Sequence, residues 1–198
     1  MYGVRPVGTV GIIGAGKVGR SIALAAATGG YHVVLEDLLP NALRRAESEL
    51  HISLDESVKT GRVSADVGAG ALSRLEFAGS VEEAARQADL VIEAGPEELE
   101  SKIEIFTLLD KICRPGTILV TVLGSLSIGE ISRVTYRARQ CAGLRISHGI
   151  AGQRVQIIRS SETDNDTVIA VTEMVKRMGA AATVVDDVSG RGIVSEPS

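Results

Sequence analysis

Short apolar runs alternate along this chain with longer segments whose apolar positions recur every three or four residues. Residues 10–13, "YHVVLED", "LEFAG", "DLVIEAG", "TILVTV", "GLRIS", "VQIIR" and "AATVVDD" read as strands. Between them, "GRSIALAAATGG", "LPNALRRAESELHISLDESVKTG", "SADVGAGALSRL" and "SVEEAARQA" read as helices, followed by helices over 97–112, 127–138 and 164–178. The first helix ends at Gly29 and Gly30, and the next two form a helical hairpin after the second strand. Strands separated by helices imply crossovers, hence a mainly parallel sheet with helices on both faces. The expected fold class is a doubly wound α/β domain that takes ligand at the carboxyl ends of its strands.

Composition agrees with that layout. The chain has 198 residues, enough for one sizeable domain, so 1–198 reads as a single unit. Apolar residues make up 44% and aromatic residues 3%, with no Trp, so Ala, Val, Ile and Leu must build the core. A net charge of −4 without a Lys/Arg run argues against nucleic acid and against a membrane surface. Cys113 and Cys141 lack metal-type spacing and read as two buried thiols of a reducing compartment. "GTVGIIGAG" is too broken by glycine to be a signal or spanning segment, so the expected location is cytoplasmic.

The candidate chemistry begins at "GAGKVG", residues 14–19, which has the form G-x-G-x-x-G after a strand and at the opening of a helix. Gly14 permits the tight turn, Gly16 lets backbone approach a pyrophosphate, and Gly19 lets helix and strand pack closely. Ala15, Lys17 and Val18 complete the cradle, where the helix N-terminus offers free N–H groups. Asp37, 18 residues beyond Gly19, closes the second strand. A carboxylate there accepts both ribose hydroxyls and repels a 2′-phosphate, which points to NAD rather than NADP. Leu38 and Leu39 follow, with no Arg to hold such a phosphate. The alternative is a glycine-rich turn that binds nothing.

"VGIIGAGKVGRSIALAAATGGYHVVLED", "ISLDESVKTGRVSAD", "DLVIEAGPEELESKIEIFTLLDKI" and "SLSIGEIS" together resemble the nucleotide-binding domain of the L-3-hydroxyacyl-CoA dehydrogenases. The resemblance runs from about residue 7 to the end and implies a Rossmann-type fold. It also implies that Glu97 and Lys102 meet the nicotinamide-side ribose, and that Ser53 touches the nucleotide of coenzyme A. A solvated helix start and a surface serine are the plainer readings of those residues.

The same resemblance implies hydride transfer between NAD and a 3-hydroxyacyl or 3-ketoacyl thioester, carried on CoA or a carrier protein. A His would act as acid or base, a Glu would orient it, and a Ser and an Asn would hold the substrate oxygen. Along this alignment those roles fall on residues unable to fill them. The family's "NTSSLSI" reads "VLGSLSI", which places Gly124 at the working Ser and Ser125 one position on. "GMHFFNP" reads "GLRISHG", which places Arg145 at the His and His148 at an Asn that contacts cofactor. The orienting Glu falls on Ile157, with Gln156 and Arg159 nearby, and the last motif reads "SGRGIVSEP" without Asn. His148, Arg145 and Ser125 are therefore candidates for surrogate catalytic roles, with ordinary loop or cofactor contact as the other reading of His148. His32 and His51 read as structural.

The resemblance also implies an all-helical domain beyond the point where this sequence stops. A shortened chain, a stand-alone domain, or a wall supplied by a homo-oligomer or partner chain would each fit. Two functional classes follow: an NAD(H)-dependent oxidoreductase of this family, and a non-catalytic NAD(H)-binding auxiliary or regulatory protein. A scaffold that uses only its uncovered apolar face is a third.

Overall fold

In the computed structural model, residues 6–146 and 150–187 are described. Eight strands form one sheet: β1 (Thr9–Ile13), β2 (His32–Glu36), β3 (Leu75–Ala78), β4 (Leu90–Glu93), β5 (Ile118–Val122), β6 (Cys141–Arg145), β7 (Arg154–Arg159) and β8 (Ala181–Asp186). Their order is β3-β2-β1-β4-β5-β6-β7-β8. Neighbours run parallel except β6 and β7, which pair antiparallel. The link from β6 to β7 holds no helix among the described residues, and such a short link returns a strand antiparallel. The chain turns from building the sheet one way to building it the other between β1 and β4, which opens a crevice at their carboxyl ends.

Helices α1 (Lys17–Thr28), α2 (Pro40–Lys59) and α3 (Ala65–Leu72) serve one side of the sheet. The other side is covered by α4 (Val81–Ala85), α5 (Leu99–Ile112) and α6 (Ile128–Ser132). Helix α7 (Asn165–Arg177) returns to the first side, where Val171, Met174 and Val175 join the core of α1. Alanine lets α1 sit close to the sheet, with Ala23, Ala25, Ala26 and Ala27 buried. Helix α2 buries only Ala46, Leu50 and Leu54, one residue per turn, so it rides on the domain rather than inside it. With α3 it forms the expected hairpin, and the Ser64 side chain caps α3 by accepting from Val67 N–H. Both cysteines are buried free thiols, as expected, and burial pushes them up to about 11 for Cys113 and about 12 for Cys141.

One expected helix is much shorter than its pattern suggested. The segment 127–138 is helical only through Ser132. Thr135 folds back onto the Ser132 carbonyl with both its N–H and its hydroxyl. Asp110 accepts from the Tyr136 N–H and the Arg137 guanidinium, pulling the chain out of the helix path. No helix among the described residues is long and apolar enough to cross a membrane.

Candidate active site

The glycine turn follows from β1 running straight into α1 with no room for side chains. Gly14 has φ of +102°, a conformation that favours glycine, and its N–H donates to the Glu36 carbonyl at 2.9 Å. A Cβ on Gly19 would lie 1.9 Å from the Gly14 carbonyl oxygen, so α1 seats on the turn only without one. A Cβ on Gly16 would meet nothing within 4 Å, and Gly16, Lys17 and Val18 are exposed. No side chain caps the start of α1. Its first N–H groups therefore face an open cradle of the shape a phosphate fills.

Asp37 hangs over that cradle. Its Oδ2 accepts from the Ala15 N–H at 3.1 Å and its Oδ1 from the Leu39 N–H at 3.0 Å. These bonds aim the carboxylate across the turn, where ribose hydroxyls would exchange for the backbone donors. Leu38 and Leu39 are 71% and 66% exposed and bring no positive charge to the rim. The residues present fit a dinucleotide whose ribose carries free hydroxyls.

On the far side of the crevice, the loop after β4 carries Glu97. Its Oε1 accepts three backbone bonds at once, from Gly124 and Ser125 at 2.8 Å and from Leu126 at 3.0 Å. Burial pushes this carboxyl up, but the three N–H bonds and the Lys102 charge outweigh it and hold it below the usual range. Lys102 lies beneath. Its Nζ donates to Glu93 Oε2 at 2.7 Å and to Thr121 Oγ1 at 3.2 Å, with its side chain fully buried. Glu93 Oε1 also takes the Gly95 N–H at 2.6 Å, which pins the start of the same loop.

Arg145 ends β6. Its Nε donates to the Gly124 carbonyl at 2.9 Å and its Nη1 to Gln156 Oε1 at 3.1 Å. Residues 145 and 156 are register partners across the antiparallel ladder.

A family model described as "3-hydroxyacyl-CoA dehydrogenase, NAD binding domain" matches residues 9–188. The chain belongs to the 3-hydroxyacyl-CoA dehydrogenase family. It is 33% identical to a probable 3-hydroxybutyryl-CoA dehydrogenase of Bacillus subtilis, over 90% of this chain and 62% of that protein. It is also 33% identical to 3-hydroxyadipyl-CoA dehydrogenase of Escherichia coli, over 87% of this chain and 36% of that one. The crystal structure of 3-hydroxybutyryl-CoA dehydrogenase from E. coli K12 superposes with a TM-score of 0.87 at 31% identity, covering 92% of this chain and 39% of that one. The chain thus spans about 60% of the length of the first relatives it matches, 62% and 61%.

Within the family frame, most expected cofactor residues meet around one crevice. Gly14, Ala15, Gly16, Lys17, Val18, Gly19 and Asp37 form one wall, and Glu97 stands on the other. Lys102 differs, because it is held under the crevice by Glu93 and Thr121 and reaches a ribose only by leaving them.

Ile157 is fully buried in the core, and the residue facing Arg145 is Gln156. Neighbouring strand positions point to opposite faces, so of these two residues only Gln156 meets Arg145. Ser125 is exposed, with its N–H held by Glu97. His148 and the "SGRGIVSEP" segment lie outside the described residues.

Ser53 borders a cavity of about 270 Å³ between α1 and α2, lined with Lys17, Arg20 and Ser21. Arg20 is held there by the Ala15 carbonyl at 2.7 Å and by Glu49 at 2.6 Å. Sequence reasoning passed over Glu93 and Thr121. A charged residue closing an otherwise apolar, fully buried strand is the signal that finds them, since it requires a buried partner.

Proposed function

We propose that this chain binds NAD(H) and forms the nucleotide half of an oxidoreductase acting on 3-hydroxyacyl or 3-ketoacyl thioesters. The observation that carries the reading is the Asp37 carboxylate set across the glycine turn, with Oδ2 3.1 Å from the Ala15 nitrogen. The start of α1 holds the pyrophosphate, Asp37 holds the adenine-side ribose, and Glu97 with Lys102 serves the nicotinamide side. NAD supplies a hydride acceptor and NADH a donor, so the protein's share is to hold the substrate oxygen and move its proton. Arg145 stabilises that oxygen as it gains negative charge but, as a guanidinium with donors and no acceptor, takes up no proton from it. Ser125 and His148 complete the surrogate set. The cavity beside Ser53, with Lys17 and Arg20, supplies positive charge for the phosphates of a CoA-type carrier. A second copy of the chain, or a partner chain, walls the open side of the cleft.

A second reading, a non-catalytic NAD(H)-binding auxiliary protein, is favoured by the Arg145–Gln156 pair. A guanidinium and an amide offer no acid–base couple, so this pair carries no proton transfer. Steady-state assays with acetoacetyl thioesters and NADH separate the two. Turnover that falls in His148→Ala supports the oxidoreductase. Tight NADH binding with no thioester-dependent oxidation supports the auxiliary protein and removes the first reading.

A further inference from the structure

Glu36 is the buried acid that neither the crevice contacts nor the core uses. It closes β2 beside Asp37, is 2% exposed, and its Oε1 is buried without a hydrogen-bond partner. An ionised oxygen left in that state costs much more than a neutral carboxyl does.

Alternation along β2 sends Val33 and Leu35 into the core under α1, and sends Val34 and Glu36 to the other face of the sheet. The register neighbours of Glu36 are Ile13 on β1 and Ala78 on β3, both apolar. The charged groups on the elements packed around β2 offer it no counter-ion. On α1, Arg20 is taken by Ala15 and Glu49, while Lys17 is exposed at the start of the helix. Glu76 on β3 faces His32, Glu82 on α4 pairs with Arg86, and Glu83 on α4 accepts from the Gly79 N–H. The charge that acts on it is that of Asp37, another acid. The Glu36 carbonyl meanwhile receives the Gly14 N–H, so the residue is tied directly to the phosphate turn.

We propose that Glu36 is a positioning residue of the dinucleotide site: NAD(H) binds with the Glu36 carboxyl neutral, so Asp37 is the single charged acid at the end of β2 and binding takes up a proton. The inference rests on the NAD(H)-binding reading. Burial first, then the Asp37 charge, push Glu36 up to about 7, against an opposing hydrogen bond from Gly14. Its proton is therefore exchanged near neutral pH. A pyrophosphate over Gly14 and Gly16 adds negative charge and favours the protonated form further. By linkage, affinity is greatest below pH 7 and falls as pH rises through it.

The test is calorimetric titration of the full chain with NAD⁺ and with NADH from pH 6 to 8.5, in two buffers of different protonation enthalpy. The expected result is a dissociation constant that rises about three- to tenfold over that range, as a further pKa rise of half to one unit on binding requires. Buffer-dependent heats at pH 7.5 show the accompanying proton uptake. In Glu36→Gln the slope is lost and affinity at pH 8.5 matches that at pH 6, while Asp37→Asn moves the slope to lower pH. A slope retained in Glu36→Gln, or zero proton uptake by the unmodified chain, overturns the inference alone. Absence of saturable binding at every pH overturns it together with the NAD(H)-binding reading.

Discussion

Arg145 faces Gln156 across the β6–β7 ladder, with Nη1 3.1 Å from Oε1. A guanidinium donor and an amide make a hydrogen bond but no acid–base couple. Placing an imidazole and a carboxylate there, in Arg145→His/Gln156→Glu, should raise thioester-dependent NADH oxidation, on the order of a hundredfold or more, the usual contribution of a positioned acid or base. The rate should then titrate near pH 6.5, the ordinary value of an imidazole. A double variant that binds NADH but shows neither gain nor pH profile would mean that the lost chemistry lies elsewhere.

Gly19 tests the packing that shapes the cradle. A methyl group there meets the Gly14 carbonyl at 1.9 Å, and backbone on both sides must shift. Gly19→Ala should cost about 1–3 kcal/mol in urea unfolding and weaken NADH binding together with stability. Gly16→Ala, whose Cβ meets nothing within 4 Å, should leave the unfolding midpoint nearly unchanged and weaken nucleotide binding alone.

Lys102 and Glu93 form an ion pair almost wholly shielded from water, 2.7 Å between Nζ and Oε2. Lys102→Met strands a buried carboxylate and should destabilise the domain by about 3–5 kcal/mol. The double variant Glu93→Gln/Lys102→Met should recover a large part of that loss, as chemical denaturation of both would show. A single variant as stable as the parent would mean that the pair opens to solvent.

Glu36 also sets a pH dependence of stability with a definite sign. Its folded value, about 7, lies above its ordinary value of 4.5, so folding holds the proton more tightly than the unfolded chain does. Stability from this group is full below about pH 4.5, falls as pH rises through 7, and then levels off. The unmodified chain should lose roughly 2–3 kcal/mol relative to Glu36→Gln between those limits, read from unfolding midpoints at pH 4.5 and 8.5.

The strands and most helices were legible because each apolar run had one period and glycine or polar breaks around it. Asp37 was legible because strand, glycine turn and helix fix where the second strand must end. Three features were not. Lysine ordinarily reads as exposed, so nothing local marks Lys102 as the buried partner of a residue nine positions earlier. Gln156 was missed as Arg145's partner because register in a strand pair is settled across the sheet, beyond any alignment through the intervening loop. The helix at 127–138 stops early because of Asp110, which lies on α5 and is distant in sequence.

The central claim is that Asp37 and the glycine turn hold NAD(H) and reject a 2′-phosphate. Fluorescence titration with NADH and NADPH, on the parent chain and on Asp37→Ala, tests it most directly. Saturable NADH binding, at least about tenfold weaker binding of NADPH, and loss of that preference in Asp37→Ala are the expected results. Equal binding of both nucleotides, or NADH binding untouched by the substitution, would contradict it.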